Sequence, residues 1–89
     1  MENTRKFQRK SCSETTFFAT STMVFEGMIK NISQKGVYIE SILALPVGQS
    51  VTVAVPSPRR KKEDIKIEGR VVWINQDGFG VQFYKQLPA

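Results

Sequence analysis

The chain of 89 residues has room for one domain with a modest core, and its 40% hydrophobic and 10% aromatic content suits a globular protein. With 13 Lys and Arg against 8 Asp and Glu, the net charge of +5 favours an anionic partner without saying which kind. No apolar run approaches the ~20 residues of a membrane-spanning helix, no signal peptide is expected, and a single cysteine, Cys12, cannot form an internal disulfide, so we expect a cytoplasmic protein.

Period-two alternation of apolar residues dominates from residue 14 onward and predicts β-strands. Six strands are predicted, from the segments ETTFFATS (14–21), MVFEGMIKNIS (23–33), GVYIES (36–41), SVTVAVPS (50–57), IKIEGRVVWIN (65–75) and FGVQF (79–83). Pro46 and Gly48 keep the connector after the third strand irregular, and helix is expected at most as a turn near residues 41–45. The NQDG segment, residues 75–78, is predicted to turn the chain through positive φ at its Asp-Gly pair.

Six short strands in so small a chain predict a six-stranded antiparallel β-barrel, because closure removes exposed sheet edges. Residues 13–89 are assigned to this all-β barrel, and residues 1–12, which lack periodicity, to a flexible arm. The basic run RRKK (59–62) is expected at a solvated hairpin tip. Alternation in the last three strands predicts eight inward-facing side chains: Val51, Val53, Val55, Ile67, Val71, Trp73, Val81 and Phe83.

The segment KNISQKG (30–36) sets three small polar or flexible residues at fixed offsets between two strands. Asn31 offers an acceptor and amide donors, Ser33 offers a hydroxyl, and Gly36 permits positive φ or the close approach of another group. These groups suit a polar ligand. An ordinary polar turn, in which Asn and Ser bond their own backbone, explains the same residues.

The segment TRKFQRK (4–10) places Arg5 and Arg9 four residues apart. A guanidinium is a planar fork of donors, suited to phosphate oxygens or to the O6 and N7 edge of guanine. A solvated basic tail is the competing interpretation. Because no apolar face supports a helix here, the spacing favours two contacts around a compact ligand.

Taken together, the two motifs resemble those of the PilZ domain family. Arg5-x-x-x-Arg9 before the first strand and Asn31-x-Ser33-x-x-Gly36 at the end of the second match the family's pair of cyclic di-GMP motifs. VGQSVTVAV resembles the family's mid-domain strand and IEGRVVWINQDGFGVQF its closing hairpin, so the resemblance covers nearly the whole chain.

The resemblance implies a bacterial receptor for cyclic di-GMP. Asn31 and Ser33 would hydrogen-bond a guanine base, and Gly36 would leave space beside the ring or the ribose. Arg5 and Arg9 would fold over the ligand, and the arm would pass from disorder to order. The surface formed in this way would be read by an unidentified downstream protein in the control of motility, exopolysaccharide or biofilm formation.

Two positions depart from the fullest family pattern. Asn31 stands where many members have Asp, which removes a negative charge that guanine N–H groups prefer. Thr4 stands where some members have a further Arg, which favours one ligand per protomer over a stacked ligand dimer. We expect a monomer or weak dimer.

Other classes of protein fit the sequence less well. The chain has no His to activate Cys12 and no clustered carboxylates, so we expect neither an enzyme nor a metal site, and no cofactor. A small basic nucleic-acid-binding barrel needs exposed aromatics, whereas Trp73, Phe79 and Phe83 fit the inward register. A ligand-free protein-interaction adaptor would not need the two intact motifs.

Overall fold

The computed structural model describes residues 10–43, 45–55 and 65–87, and these form a closed barrel. The strands pair antiparallel in the order β1-β2-β3-β6-β5-β4, and β4 returns to β1. The described part of the chain contains no helix, and so none able to cross a membrane. The predicted all-β, six-stranded antiparallel barrel is confirmed. Its strands are β1 (Lys10–Ala19), β2 (Val24–Ile32), β3 (Gly36–Glu40), β4 (Ser50–Val55), β5 (Ile65–Ile74) and β6 (Gly78–Phe83).

Strand β1 begins earlier than the sequence predicts. It starts at Lys10 rather than at residue 14, so the strand includes residues 10–12, which the sequence assigns to the arm, and Lys10 and Ser11 pair with Ile32 and Asn31 of β2. These residues lack apolar alternation, and backbone hydrogen bonding to a neighbouring strand does not require it. Arg5 and Arg9, in residues 1–9, and the basic run 59–62 lie outside the described residues.

A single hydrophobic core fills the inside of the barrel, with members from all six strands and Leu45 from the connector between β3 and β4. Of the side chains predicted to face inward, Ile67 is partly buried against this core and Trp73 is exposed. The other six predictions are confirmed by burial: Val51, Val53, Val55, Val71, Val81 and Phe83. The alternation of apolar residues in β4, β5 and β6 therefore predicts most of the side chains that these strands bury in the core.

The pairing between β1 and β4 is short, and a side-chain hydrogen bond adds to it. Only Phe18 and Ala19 of β1 pair in register with β4 among the described residues. Thr16 is buried beside them, and its hydroxyl donates a hydrogen bond to the carbonyl of Ala54. A buried hydroxyl without a partner would cost stability, so this bond both satisfies Thr16 and helps close the barrel.

The turn between β5 and β6 is held by a side chain, and the positive φ predicted for its Asp-Gly pair does not occur at Gly78. The Asn75 Oδ1 atom accepts hydrogen bonds from the backbone N–H groups of Asp77 and Gly78, both at 2.8 Å. Among the described glycines, positive φ occurs at Gly48, at 95°. Gly78 is needed instead for close strand packing, because a Cβ there would collide with the Ile39 carbonyl of β3.

Candidate ligand-binding site

The end of β2 and the start of β3 border an open pocket of about 470 Å³ on the outer wall of the barrel. Asn31, Ser33 and Gly36 all line this pocket, so the structure brings the three residues of the second predicted motif together. The remaining wall comes from β5, β6 and the turn between them.

Asn31 lies where the strand pairing is irregular. It is opposite Ser11 of β1 and Tyr38 of β3, and the β2–β3 register shifts between Ile29 and Asn31. Its half-buried side chain makes no hydrogen bond to any residue that the structure describes. The amide is therefore available to donate and accept hydrogen bonds with a ligand.

Ser33 is part of a local turn, as the alternative interpretation of the motif predicts. Its Oγ atom accepts a hydrogen bond from the Lys35 N–H at 3.2 Å, and its own N–H donates to the Gly36 carbonyl at 2.9 Å. A hydroxyl that accepts one bond still carries a proton to donate. The turn orients Ser33 and leaves that proton for a ligand.

Gly36 has a structural reason to be glycine. It does not adopt positive φ, and a Cβ at this position would collide with the Val81 carbonyl of β6. The position thus lets β3 and β6 approach closely, while also lining the pocket. Its predicted role beside a bound ring or ribose stays a prediction.

Trp73 lies outside the barrel, and its predicted place in the core is wrong. The β5–β6 register shifts between Val71 and Trp73, so one extra residue of β5 breaks the alternation that would point the indole inward. The side chain is 45% exposed and lines the pocket. Its ring lies against Gly80 of β6, where any side chain would collide with it.

Tyr38 is a second aromatic residue of the pocket that the sequence interpretation does not predict. Its ring stacks on that of Trp73 with centroids 5.2 Å apart and planes 16° apart. The Tyr38 hydroxyl donates to Asn75 Oδ1 at 3.3 Å. Strand alternation was the available signal, because Tyr38 is two residues from Gly36 and so shares its face. The stacked pair gives the pocket an aromatic wall of the kind that nucleobases contact.

The electrostatic character of the pocket suits an anion. Lys35 lines it, and no Asp or Glu does so among the described residues. The strand register also places Lys10 opposite Ile32, between Asn31 and Ser33 in sequence. The chain therefore enters the barrel beside the pocket, one residue after Arg9.

Comparison with known proteins identifies the family. The PilZ domain model matches residues 3–89, and the chain belongs to this family of cyclic di-GMP receptors and adaptors. The fold is similar to that of the Bacillus subtilis inhibitor of motility (MotI/DgrA), with a TM-score of 0.63 at 13% sequence identity. The match covers 97% of this chain and 45% of that one, so this chain spans less than half of that protein. No curated protein matches the sequence.

Proposed function

We propose that this protein is a cytoplasmic, non-enzymatic receptor for cyclic di-GMP that passes the signal to a partner protein. The observation that carries the proposal is the register of β1 with β2. Because Lys10 lies opposite Ile32, an arm containing Arg5 and Arg9 is attached beside the pocket that holds Asn31 and Ser33. This register supports the proposal that two motifs separated by more than twenty residues in sequence contact one ligand.

In this proposal the pocket binds one guanine base of the ligand. Asn31 and Ser33 supply polar contacts to the base edge, and the stacked Tyr38 and Trp73 supply an aromatic surface beside it. Arg5 and Arg9 pair with phosphate oxygens and guanine. With Thr4 in place of a further Arg, a single ligand per protomer is favoured.

Trp73 provides the experiment that tests the proposal. It is the only tryptophan in the chain, so its fluorescence reports on this pocket alone. Titration with cyclic di-GMP is expected to change Trp73 emission with saturation, and Asn31→Ala is expected to weaken binding. Gln86→Ala, at an exposed polar position outside the pocket lining, is the matched control. If wild type and Asn31→Ala showed saturating fluorescence changes with the same Kd, Asn31 would not contribute to ligand binding.

Asn31→Asp is expected to tighten binding about fivefold. A carboxylate accepts stronger hydrogen bonds from the N1–H and N2 amine of guanine than an amide does, and the gain is about 1 kcal/mol. The same substitution should not help a ligand whose phosphates alone contact the pocket, because negative charges repel. Weaker binding by Asn31→Asp in the fluorescence titration would therefore indicate that Asn31 faces phosphate rather than base.

Ordering of the arm is the proposed signal. Contacts of Arg5 and Arg9 with the ligand must offset roughly 1–2 kcal/mol of backbone entropy for each residue that becomes fixed. Amide relaxation and hydrogen exchange are expected to show residues 4–9, before β1, mobile without ligand and protected at saturation. Partner affinity should rise with ligand and be lost when the arm is deleted. Rigid residues 4–9 in the free protein would contradict this switch, even if ligand binding is real.

One observation also favours a second candidate, binding of single-stranded nucleic acid. The outward Trp73 and its stack with Tyr38 remove the sequence argument against a base-stacking surface. Short DNA and RNA oligonucleotides added to the fluorescence titration separate the two functions. The receptor proposal requires that cyclic di-GMP bind more tightly than either oligonucleotide at the same salt concentration.

A further inference from the structure

A second groove, of about 750 Å³, lies on the outer wall beside the ligand pocket. It runs over β1, β2 and the end of β3, and the β5–β6 turn forms its far side. The register places Thr15, Met28 and Glu40 in one row across the three strands. Neighbouring side chains in such a row are about 5 Å apart, so together they form one continuous surface.

The groove carries apolar side chains that the barrel leaves uncovered. Ile42 is fully exposed at its rim, and Met28 is 37% exposed within it. Phe17, directly opposite Glu26 and 55% exposed, extends the apolar surface along β1. Exposed apolar side chains that adjoin one another are characteristic of a surface that contacts a partner.

The charges in the groove indicate the chemistry of that partner. Glu26, Glu40 and Asp77 line it, and no Lys or Arg does so in the described part of the chain. None of the three carboxylates forms an ion pair with another described residue. This local negative charge contrasts with the net charge of +5 for the whole chain. At physiological salt, charges more than about 8 Å apart are largely screened from each other. A segment bound in the groove would therefore interact mainly with the carboxylates of the groove rather than with the net charge of the chain.

We infer that this groove docks a basic amphipathic segment of a partner protein. Apolar side chains of that segment would cover Phe17, Met28 and Ile42, while its Lys or Arg side chains would pair with Glu26 and Glu40. Charge complementarity of this kind raises the association rate and selects against acidic partners. The inference concerns a surface separate from the ligand pocket and holds whether or not the pocket binds cyclic di-GMP.

The groove adjoins the ligand pocket through two shared elements. Tyr38 of the pocket and Glu40 of the groove are two residues apart on the same face of β3. In the β5–β6 turn, Asn75 lines the pocket and Asp77 lines the groove, and the Asp77 carbonyl accepts a hydrogen bond from the Ser41 N–H at 3.1 Å. A partner in the groove would therefore lie next to any ligand in the pocket.

The test is a titration of the full chain, labelled with ¹⁵N, with a short amphipathic Leu/Lys peptide. Two reference peptides serve as controls. In the first, Ser replaces Leu, so the peptide keeps its positive charge but loses its apolar face. In the second, Glu replaces Lys, so the peptide keeps its apolar face but its charge is reversed. The Leu/Lys peptide is expected to bind best and to shift the amide signals of Thr15, Met28, Ile42 and Gln76. Shifts located away from the groove, or equal binding of the Leu/Glu peptide, would overturn the inference.

Variants at exposed positions complete the test, since they leave the core intact. Glu26→Lys is expected to weaken binding of the Leu/Lys peptide roughly tenfold, and Glu68→Lys, an exposed glutamate on β5, is its matched control. Ile42→Ser is expected to weaken binding as well, with Val47→Ser as the control outside the groove. Equal losses in variants and controls would overturn the inference. Self-association of the wild-type chain that depends on concentration and is abolished by Ile42→Ser would also overturn the inference, because a second copy of the chain would then cover the groove.

Discussion

Replacing Arg5 or Arg9 with alanine is expected to raise the Kd for cyclic di-GMP by about 5- to 150-fold, which corresponds to about 1–3 kcal/mol for a lost bidentate contact. Both residues precede Lys10, the first residue of β1, which lies opposite Ile32 in the pocket lining. A guanidinium that makes two parallel hydrogen bonds to phosphate or guanine cannot be replaced by water without loss. Calorimetry of each variant against the wild-type chain measures the effect.

Arg59→Ala separates this effect from a general loss of charge. It removes one guanidinium and one unit of net charge, as Arg5→Ala does, but it lies in the basic run between β4 and β5. The control is expected to change Kd only slightly, with a dependence on salt concentration. If Arg59→Ala weakened binding as much as Arg5→Ala, the contribution of the arm would be non-specific attraction.

Phe79→Ala is expected to reduce the free energy of unfolding by about 3–5 kcal/mol, the range for removing a buried aromatic side chain. Phe79 of β6 is fully buried and packs edge-on against Phe18 of β1, with ring centroids 5.2 Å apart and planes at 73°. The contact joins strands on opposite sides of the barrel interior. Since small domains have only about 5–15 kcal/mol of stability in total, the variant should unfold at much lower urea concentration.

Phe17→Ala is the matched control for this prediction. Phe17 neighbours Phe18 in β1 but points outward and is 55% exposed, so its removal should change stability by less than about 1 kcal/mol. Urea unfolding followed by circular dichroism compares the two variants directly. Equal destabilisation by both would contradict the assignment of inward and outward faces on β1.

The barrel could be predicted because its strands have strong alternation and its turns have Gly and Pro. In β4 the three valines Val51, Val53 and Val55 are buried, as the period of two requires. The same rule fails at Trp73, where the extra residue in β5 reverses the expected face. At this bulge Trp73 packs closely against Gly80 on the neighbouring strand. A contact between two strands cannot be predicted from the alternation of residues along one of them.

The candidate site was predictable in part. The resemblance to the PilZ motif predicts Asn31, Ser33 and Gly36, and the structure places all three on one pocket. The aromatic pair of Tyr38 and Trp73 was missed, because it depends on the pairing of β3 with β6 and of β6 with β5. Strand order in a barrel is a long-range property, and residues 38 and 73 become neighbours only when β6 pairs with both β3 and β5.

Isothermal titration calorimetry with cyclic di-GMP, cyclic di-AMP and GMP tests the central claim most directly. All three ligands carry phosphate and purine groups, but cyclic di-GMP alone has two guanines on a ring of two riboses joined by two phosphodiester groups. The receptor proposal predicts saturable binding of cyclic di-GMP with one ligand per protomer, and clearly weaker binding of the other two. An affinity for cyclic di-GMP no better than that for cyclic di-AMP or GMP would contradict it.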